Sequence, residues 1–157
     1  MGALEVASLA TQSAAIVQRN ERRLTALRES TKIEREAFTD AIKAFCAYVD
    51  RTGKKSENPE RAYSNFTRQV YAAFGLNKKQ IEARMNDEQY LRAHFDAMEL
   101  LFVQSAERSA AHAFIIGMEQ NLTREDVKAG VKDAITKVRE TFGYVAEGKM
   151  FKKRAGQ

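Results

Sequence analysis

Proline occurs once in this chain of 157 residues, at position 59, and glycine only eight times. A proline in a helix interior removes a backbone donor and clashes with the preceding turn, and glycine weakens a helix through its backbone entropy. A chain so poor in both, with helix formers almost everywhere and no long alternation of β-branched residues, has little choice but to be helical. The expected fold is all-α: a helical bundle of about six helices, with a long central helix and a possible coiled-coil helix at the N-terminus. At 44% hydrophobic and 30% charged residues, the composition suits one domain with a core of ordinary size.

Apolar spacing divides the chain further. Val6, Ala10, Ser13, Val17, Asn20, Leu24 and Leu27 recur at alternating gaps of four and three. That is a coiled-coil seam, expected within a helix from Ala3 to Glu29 that forms an oligomerisation segment over 1–29. Val17, Asn20, Leu24 and Leu27 are its candidate contacts. An asparagine at a seam position can fix register and partner number, which makes a homo-oligomer, a dimer first of all, the expected assembly. Packing of the same helix on its own chain is the alternative.

Thr31 and Glu34 match a capping box, so a second helix is expected to begin at Ser30–Thr31 and to open a helical domain over 30–143. Its apolar stripe reads Ile33, Ala37, Phe38, Ala41, Ile42, Phe45, Tyr48 and Val49. Asn58 and Pro59 open the next helix, and Ala62, Tyr63, Phe66, Val70, Ala73 and Phe74 are its core face. From Asn86 a long strut should run to Gly117, burying Leu91, Phe95, Met98, Phe102, Ser105, Ser109, His112 and Ile116. Thr123 caps a last helix with Val127, Val131, Ala134, Ile135 and Val138 inside. Residues 144–157 form a basic tail.

One stretch has spacing that suggests a task. In Val70–Met85, VYAAFGLNKKQIEARM, Gly75 can end a helix in the left-handed conformation and Asn77 can cap the next. Ile81 and Met85 would then face the preceding helix, leaving Lys78, Lys79 and Gln80 outward. This stretch resembles the helix-turn-helix family of DNA-binding proteins, with Gly75 at the turn and Leu76 and Ile81 at buried positions. Tyr71, where a small residue is favoured, and Arg84, at an apolar position, depart from the pattern. The resemblance implies a second helix in the major groove, with Lys78, Lys79 and Gln80 towards bases and phosphates and Arg61, Arg68 and Arg84 as phosphate contacts. A Gly-terminated core helix followed by a short capped helix would show the same spacing. From Tyr63 onward the chain also faintly resembles helical parts of phage-encoded regulatory proteins, which implies a phage or prophage accessory factor.

Charge is unevenly distributed: +5 over 51–84 and +4 over 149–157, against −4 over 85–148. Clustered cations suit a polyanion such as DNA. Cys46 is the single cysteine, which excludes an internal disulfide and suits a reducing, cytoplasmic setting, and a packing role is expected for it. No run is long and apolar enough for a bilayer, and no secretory leader is expected. There is no glycine-rich phosphate loop, no metal-ligand spacing and no nucleophile beside a base; His94 and His112 are too far apart to form a local pair. The sequence therefore suggests no catalytic residue, cofactor or metal. Two readings remain, a non-enzymatic DNA-binding regulator and a helical factor that binds another protein without touching DNA.

Overall fold

The computed structural model describes residues 3–53, 56–86 and 97–145, with side chains in those ranges except at 3–10, 84, 144 and 145. Five helices occupy them: α1 Ala3–Thr52, α2 Pro59–Phe74, α3 Lys78–Met85, α4 Ala97–Glu119 and α5 Arg124–Val145. No strand occurs among the described residues, and the fold is all-α.

Helix α4 forms the middle of the bundle. It runs parallel to the second half of α1, because Gln104 donates to Ser30 Oγ at 2.6 Å, Arg35 to Glu107 at 2.6 Å, and the Tyr48 hydroxyl to the Leu122 carbonyl at 2.6 Å. Helix α5 returns antiparallel, so that Phe102 near the start of α4 meets Phe142 near the end of α5 edge to face, with ring centres 5.3 Å apart. At the other end of this hairpin, a Cβ on Gly117 would stand 3.0 Å from a methyl of Val127, so glycine sets how closely α4 and α5 approach. Helix α2 is antiparallel to α4, with Phe66 on Phe114 at 4.9 Å and Phe74 on Phe102 at 5.2 Å.

These contacts define two aromatic layers. The upper one joins Phe45, Phe66 and Phe114; the lower one joins Phe74, Phe102 and Phe142. Edge-to-face and tilted pairs of this kind add about 0.5–1.5 kcal/mol each beyond the area they bury. Around them pack Phe38, Ile42, Val49, Leu100, Val131 and Ile135, all buried.

Helix ends follow local chemistry. Asn58 accepts from the Arg61 amide at 3.1 Å, and Pro59 occupies the first turn of α2, where its missing N–H costs nothing. Helix α4 stops at Asn121, whose φ of 54° is the left-handed stop more common for glycine. Its amide bonds Met118 and the next amide bonds Gly117, each at 3.0 Å, which satisfies the last carbonyls. Thr123 then accepts from the Asp126 amide at 3.2 Å and opens α5.

The expected break at Ser30–Thr31 does not exist: α1 is one helix of 50 residues. Thr31 does not cap anything. Its hydroxyl donates to the Leu27 carbonyl four residues back at 2.7 Å, which lets a threonine sit inside a helix, and its side chain is fully buried. The boundary expected between 29 and 30 therefore has no counterpart in the backbone. Within the stripe that follows, Phe38, Ala41, Ile42, Phe45, Tyr48 and Val49 are buried as expected, but Ile33 is 67% exposed and Ala37 is exposed.

The long strut also differs in register. Phe102 is buried, but Met98 and Ile116 stand 38% and 37% exposed and His112 is exposed. The inward face carries Leu100, Val103, Ala106, Glu107, Ala110 and Phe114 instead. A helix enclosed by α1, α2 and α5 is buried over an arc wider than a two-helix seam, so alternating gaps of three and four do not locate its centre. Leu91, His94 and Phe95 lie outside the described residues, as do Lys54, Lys55 and the tail from 146 onward.

Candidate functional site

The α2–α3 corner is built as its residues require. Gly75 has φ 103°, the left-handed conformation open to glycine, and the amides of Gly75 and Leu76 bond back to Ala72 and Tyr71 at 3.0 and 3.2 Å. Asn77 then caps α3 reciprocally: its side chain accepts from the Gln80 amide, and the Gln80 side chain accepts from the Asn77 amide, both at 2.9 Å. Leu76 and Ile81 are buried, Met85 is half-buried, and Val70, Tyr71 and Phe74 beneath them are buried. A short helix is thus pinned by its apolar face to the end of α2.

That pinning decides what faces water. Lys78 and Lys79 are exposed, with no ion pair among the described residues. Gln80 is only partly exposed, and its carbonyl oxygen is engaged in the cap, leaving the amide nitrogen as its outward donor. Arg61 and Asn65 are exposed on α2. Arg68, expected on the same face, is committed elsewhere: its Nη1 pairs with Glu82 of α3, and its Nη2 lies 3.5 Å from the second carboxylate oxygen. This pair ties the two helices together and removes one cation from the face expected to meet phosphate. Arg84 lies in α3, and its side chain is outside the described residues.

The oligomerisation residues fall into two groups. Leu24 and Leu27 pack against the edge of the core. Val17 is 54% exposed and Asn20 is exposed, like every described side chain from 11 to 23. Ile16, beside the seam, is 51% exposed. The first part of α1 is therefore a helical arm that leaves the bundle; over 3–23 it is about 30 Å long. Val6 and Ala10 have side chains outside the described residues.

Other features had weaker signals or none in the sequence. Glu107 is fully buried in the middle of α4, where its partner Arg35 lies with its guanidinium 4.8 Å from the centre of the Tyr63 ring. Burial alone would lower the Arg35 pKa, but Glu107, with Tyr71 and Tyr63 beside it, raises it, so the guanidinium is firmly charged. Glu57, between α1 and α2, accepts from Arg124 Nε at 2.5 Å and pairs with Lys128 at 2.5 Å. Burial works against its charge, but those two cations hold its carboxyl below the ordinary glutamate value. Cys46 is buried, and burial, with Glu57 and Asp50 nearby, pushes its thiol up, away from the reactive thiolate.

Two open grooves accompany these groups. One, about 580 Å³, lies between α1 and the start of α2 and is lined by Lys32, Arg35, Thr39, Ile42 and Tyr63 among others. The other, about 620 Å³, runs between α4 and α5 past Ser109, Ala113, Ile116, Gly130, Ala134 and Val138. Among the described residues no group of three or more histidine, cysteine, aspartate or glutamate side chains could hold a metal ion, and no helix is long and apolar enough to cross a membrane. Neither protein-family models, nor curated proteins, nor solved structures give a match to this chain.

Proposed function

We propose that this chain is a non-enzymatic DNA-binding regulator that uses the α2–α3 corner, and that two copies associate through the α1 arm. One observation carries the first half of this reading: a short helix is held by Leu76 and Ile81 with its turn capped at both residues that must cap it, while Lys78 and Lys79 point away without partners among the described residues. A helix fixed in this way presents its first turn to a groove at little further entropic cost, and its free amides and lysines both favour phosphate. Gln80 offers its amide nitrogen and Arg61 a cation at the flank with no ion pair among the described residues; Arg68 acts as the strut that holds α3 at its angle rather than as a phosphate contact. The arm supports the second half, because an isolated helix of that length is marginal in water and its seam residues Val17 and Asn20 lie exposed.

The test is binding of labelled mixed-sequence duplex DNA across a salt series. The full chain should bind with a steep fall as salt rises, and Lys78→Ala with Lys79→Ala should flatten the slope by about 1.8, two phosphate contacts' worth. Unchanged affinity and slope in the double variant would remove α3 from the interface.

A helical factor binding another protein is the second reading. The observation that favours it is the apolar groove between α4 and α5, beside which Ile115 and Ile116 stand 45% and 37% exposed. Full-length protein that does not bind DNA at low salt would turn the reading to that groove.

A further inference from the structure

The sequence places three arginines, Arg19, Arg22 and Arg23, at i, i+3 and i+4, a spacing that puts them on one face of a helix. In the structure all three are exposed on the arm, and none has an ion pair among the described residues. At 100° per residue their face is centred well over 90° from the seam of Val17, Asn20, Leu24 and Leu27. A second arm packed along that seam would therefore leave Arg19 and Arg22 outward, with Arg23 at the flank of the seam. Between residues 11 and 23 Glu21 is the one acid.

The arm's position gives these charges a neighbour. Because α1 and α4 are parallel, with Ser30 beside Gln104, Ala97 is level with about residue 23, and α1 before that point continues past the first described residue of α4. Helix α2 ends at that same end of the bundle, since Phe74 packs on Phe102, and the Gly75 turn and α3 follow at once. The arm therefore leaves the bundle at the end that carries Lys78 and Lys79. Along the α1 axis, Arg23 to Arg19 lie roughly 10–16 Å beyond the level of Ser30, within half of the roughly 34 Å that one turn of duplex DNA spans.

We infer that the α1 arm is a second nucleic-acid-binding element, in which Arg19, Arg22 and Arg23 contact the phosphate backbone of the duplex that α3 meets. The inference rests on the DNA-binding reading of α3 for its partner and adds a different helix, different residues and a different physical role. The lysines sit at the tip of a rigid corner; the arginines sit on a projecting helix that follows the backbone. Arginine suits this place because its planar fork binds phosphate through two donors.

The experiment compares three full-length proteins on one labelled duplex by fluorescence anisotropy across a salt series: the parent, Arg19→Gln/Arg22→Gln/Arg23→Gln, and Lys78→Gln/Lys79→Gln. Glutamine keeps helix propensity while removing charge, and circular dichroism and sedimentation confirm that helicity and mass match the parent. If all three arginines meet phosphate, the slope of log K against log salt should fall by about 2.7 per arm in the first variant. A triple variant that keeps the parent's slope and affinity, while the lysine variant loses both, overturns the inference and leaves the α3 reading standing. Loss in the triple variant with an unaltered lysine variant does the opposite: the arm binds and α3 does not. A parent protein that fails to bind duplex at low salt overturns both.

Discussion

The two halves of α1 are continuous in backbone and unlike in packing. From Phe38 to Val49 the helix supplies six of the bundle's buried apolar side chains besides Cys46, and it is tied to α4 by Arg35 and Ser30 and to the α4–α5 turn by Tyr48. From 11 to 23 it buries nothing. Both halves repeat apolar residues at helical spacing, so periodicity does not separate them. Side-chain volume does: the packed half carries Phe38, Ile42, Phe45 and Tyr48 where the arm carries Ser13, Ala14, Val17 and Asn20. A seam of small and polar residues forms a helix but releases too little apolar area to hold it against a bundle, and such a helix remains available for a second surface.

The largest test of that contrast is Phe45→Ala. Phe45 is fully buried, with Phe66 and Phe114 at 6.4 and 5.1 Å, and its loss should cost about 3–5 kcal/mol in urea unfolding. A cost below about 1 kcal/mol would mean that the packed half is packed no better than the arm.

Next comes the buried pair. Arg35→Met leaves Glu107 buried without its cation and should destabilise by about 3 kcal/mol, whereas Arg35→Met with Glu107→Leu should recover most of the loss, since two apolar residues have no charge to desolvate. Arg22→Met on the arm should change unfolding by less than about 0.5 kcal/mol. A double variant as unstable as the single one would show that the pair stabilises the bundle beyond cancelling its own burial cost.

How much of this was legible depended on whether the deciding partner was local. The α2–α3 corner could be read from Gly75, Leu76 and Asn77 because a left-handed stop and a capping asparagine act within four residues. The inward face of α5 was equally plain, with Val127, Val131 and Ile135 buried. Thr31 could not be read: the same hydroxyl caps a new helix or bonds the turn before it, and here it bonds Leu27 while its side chain is buried. Nor could Arg68, whose fate depends on Glu82 across the turn, or Glu107, which looks like any surface glutamate until Arg35 arrives from 72 residues away.

The two ends of α1 give the next test. Its C-terminal end is followed by Glu57, locked to Arg124 and Lys128, while its N-terminal end has no such lock among the described residues. The Glu57 carboxyl is held below the ordinary value of 4.5. Its contribution is therefore fully present above about that pH and is lost as pH falls through the depressed value. Glu57→Gln should cost about 1 kcal/mol at pH 7 and progressively less as pH falls below 4.5, in urea unfolding followed against pH. An equal deficit at low and neutral pH would mean that the variant acts through packing and not through charge.

Two threonines sharpen the comparison on a smaller scale. Thr25 and Thr31 make the same bond, to the carbonyl four residues back, at 2.9 and 2.7 Å, but Thr25 is exposed and Thr31 is fully buried. Replacement by serine keeps the bond and removes one methyl. Thr31→Ser should cost about 1 kcal/mol, the worth of a buried methyl, and Thr25→Ser less than about 0.5 kcal/mol. Equal costs would mean that packing already surrounds α1 at Thr25.

The smallest effect on the bundle is expected where the arm's apolar residues stand free. Ile16→Ala with Val17→Ala improves helix propensity and removes only exposed area in a single chain, so the unfolding free energy of dilute protein in urea should change by no more than about 0.5 kcal/mol. Association is another matter, because two arms packed along Val17 and Asn20 would bury side chains that a single chain leaves exposed. If the arm pairs copies, sedimentation of the parent should show mass rising with concentration, and the double variant should need distinctly higher concentrations for the same rise. A parent that stays monomeric at high concentration, or a variant that loses more than about 1.5 kcal/mol when dilute, would put the arm's partner elsewhere: on nucleic acid alone in the first case, on its own bundle in the second.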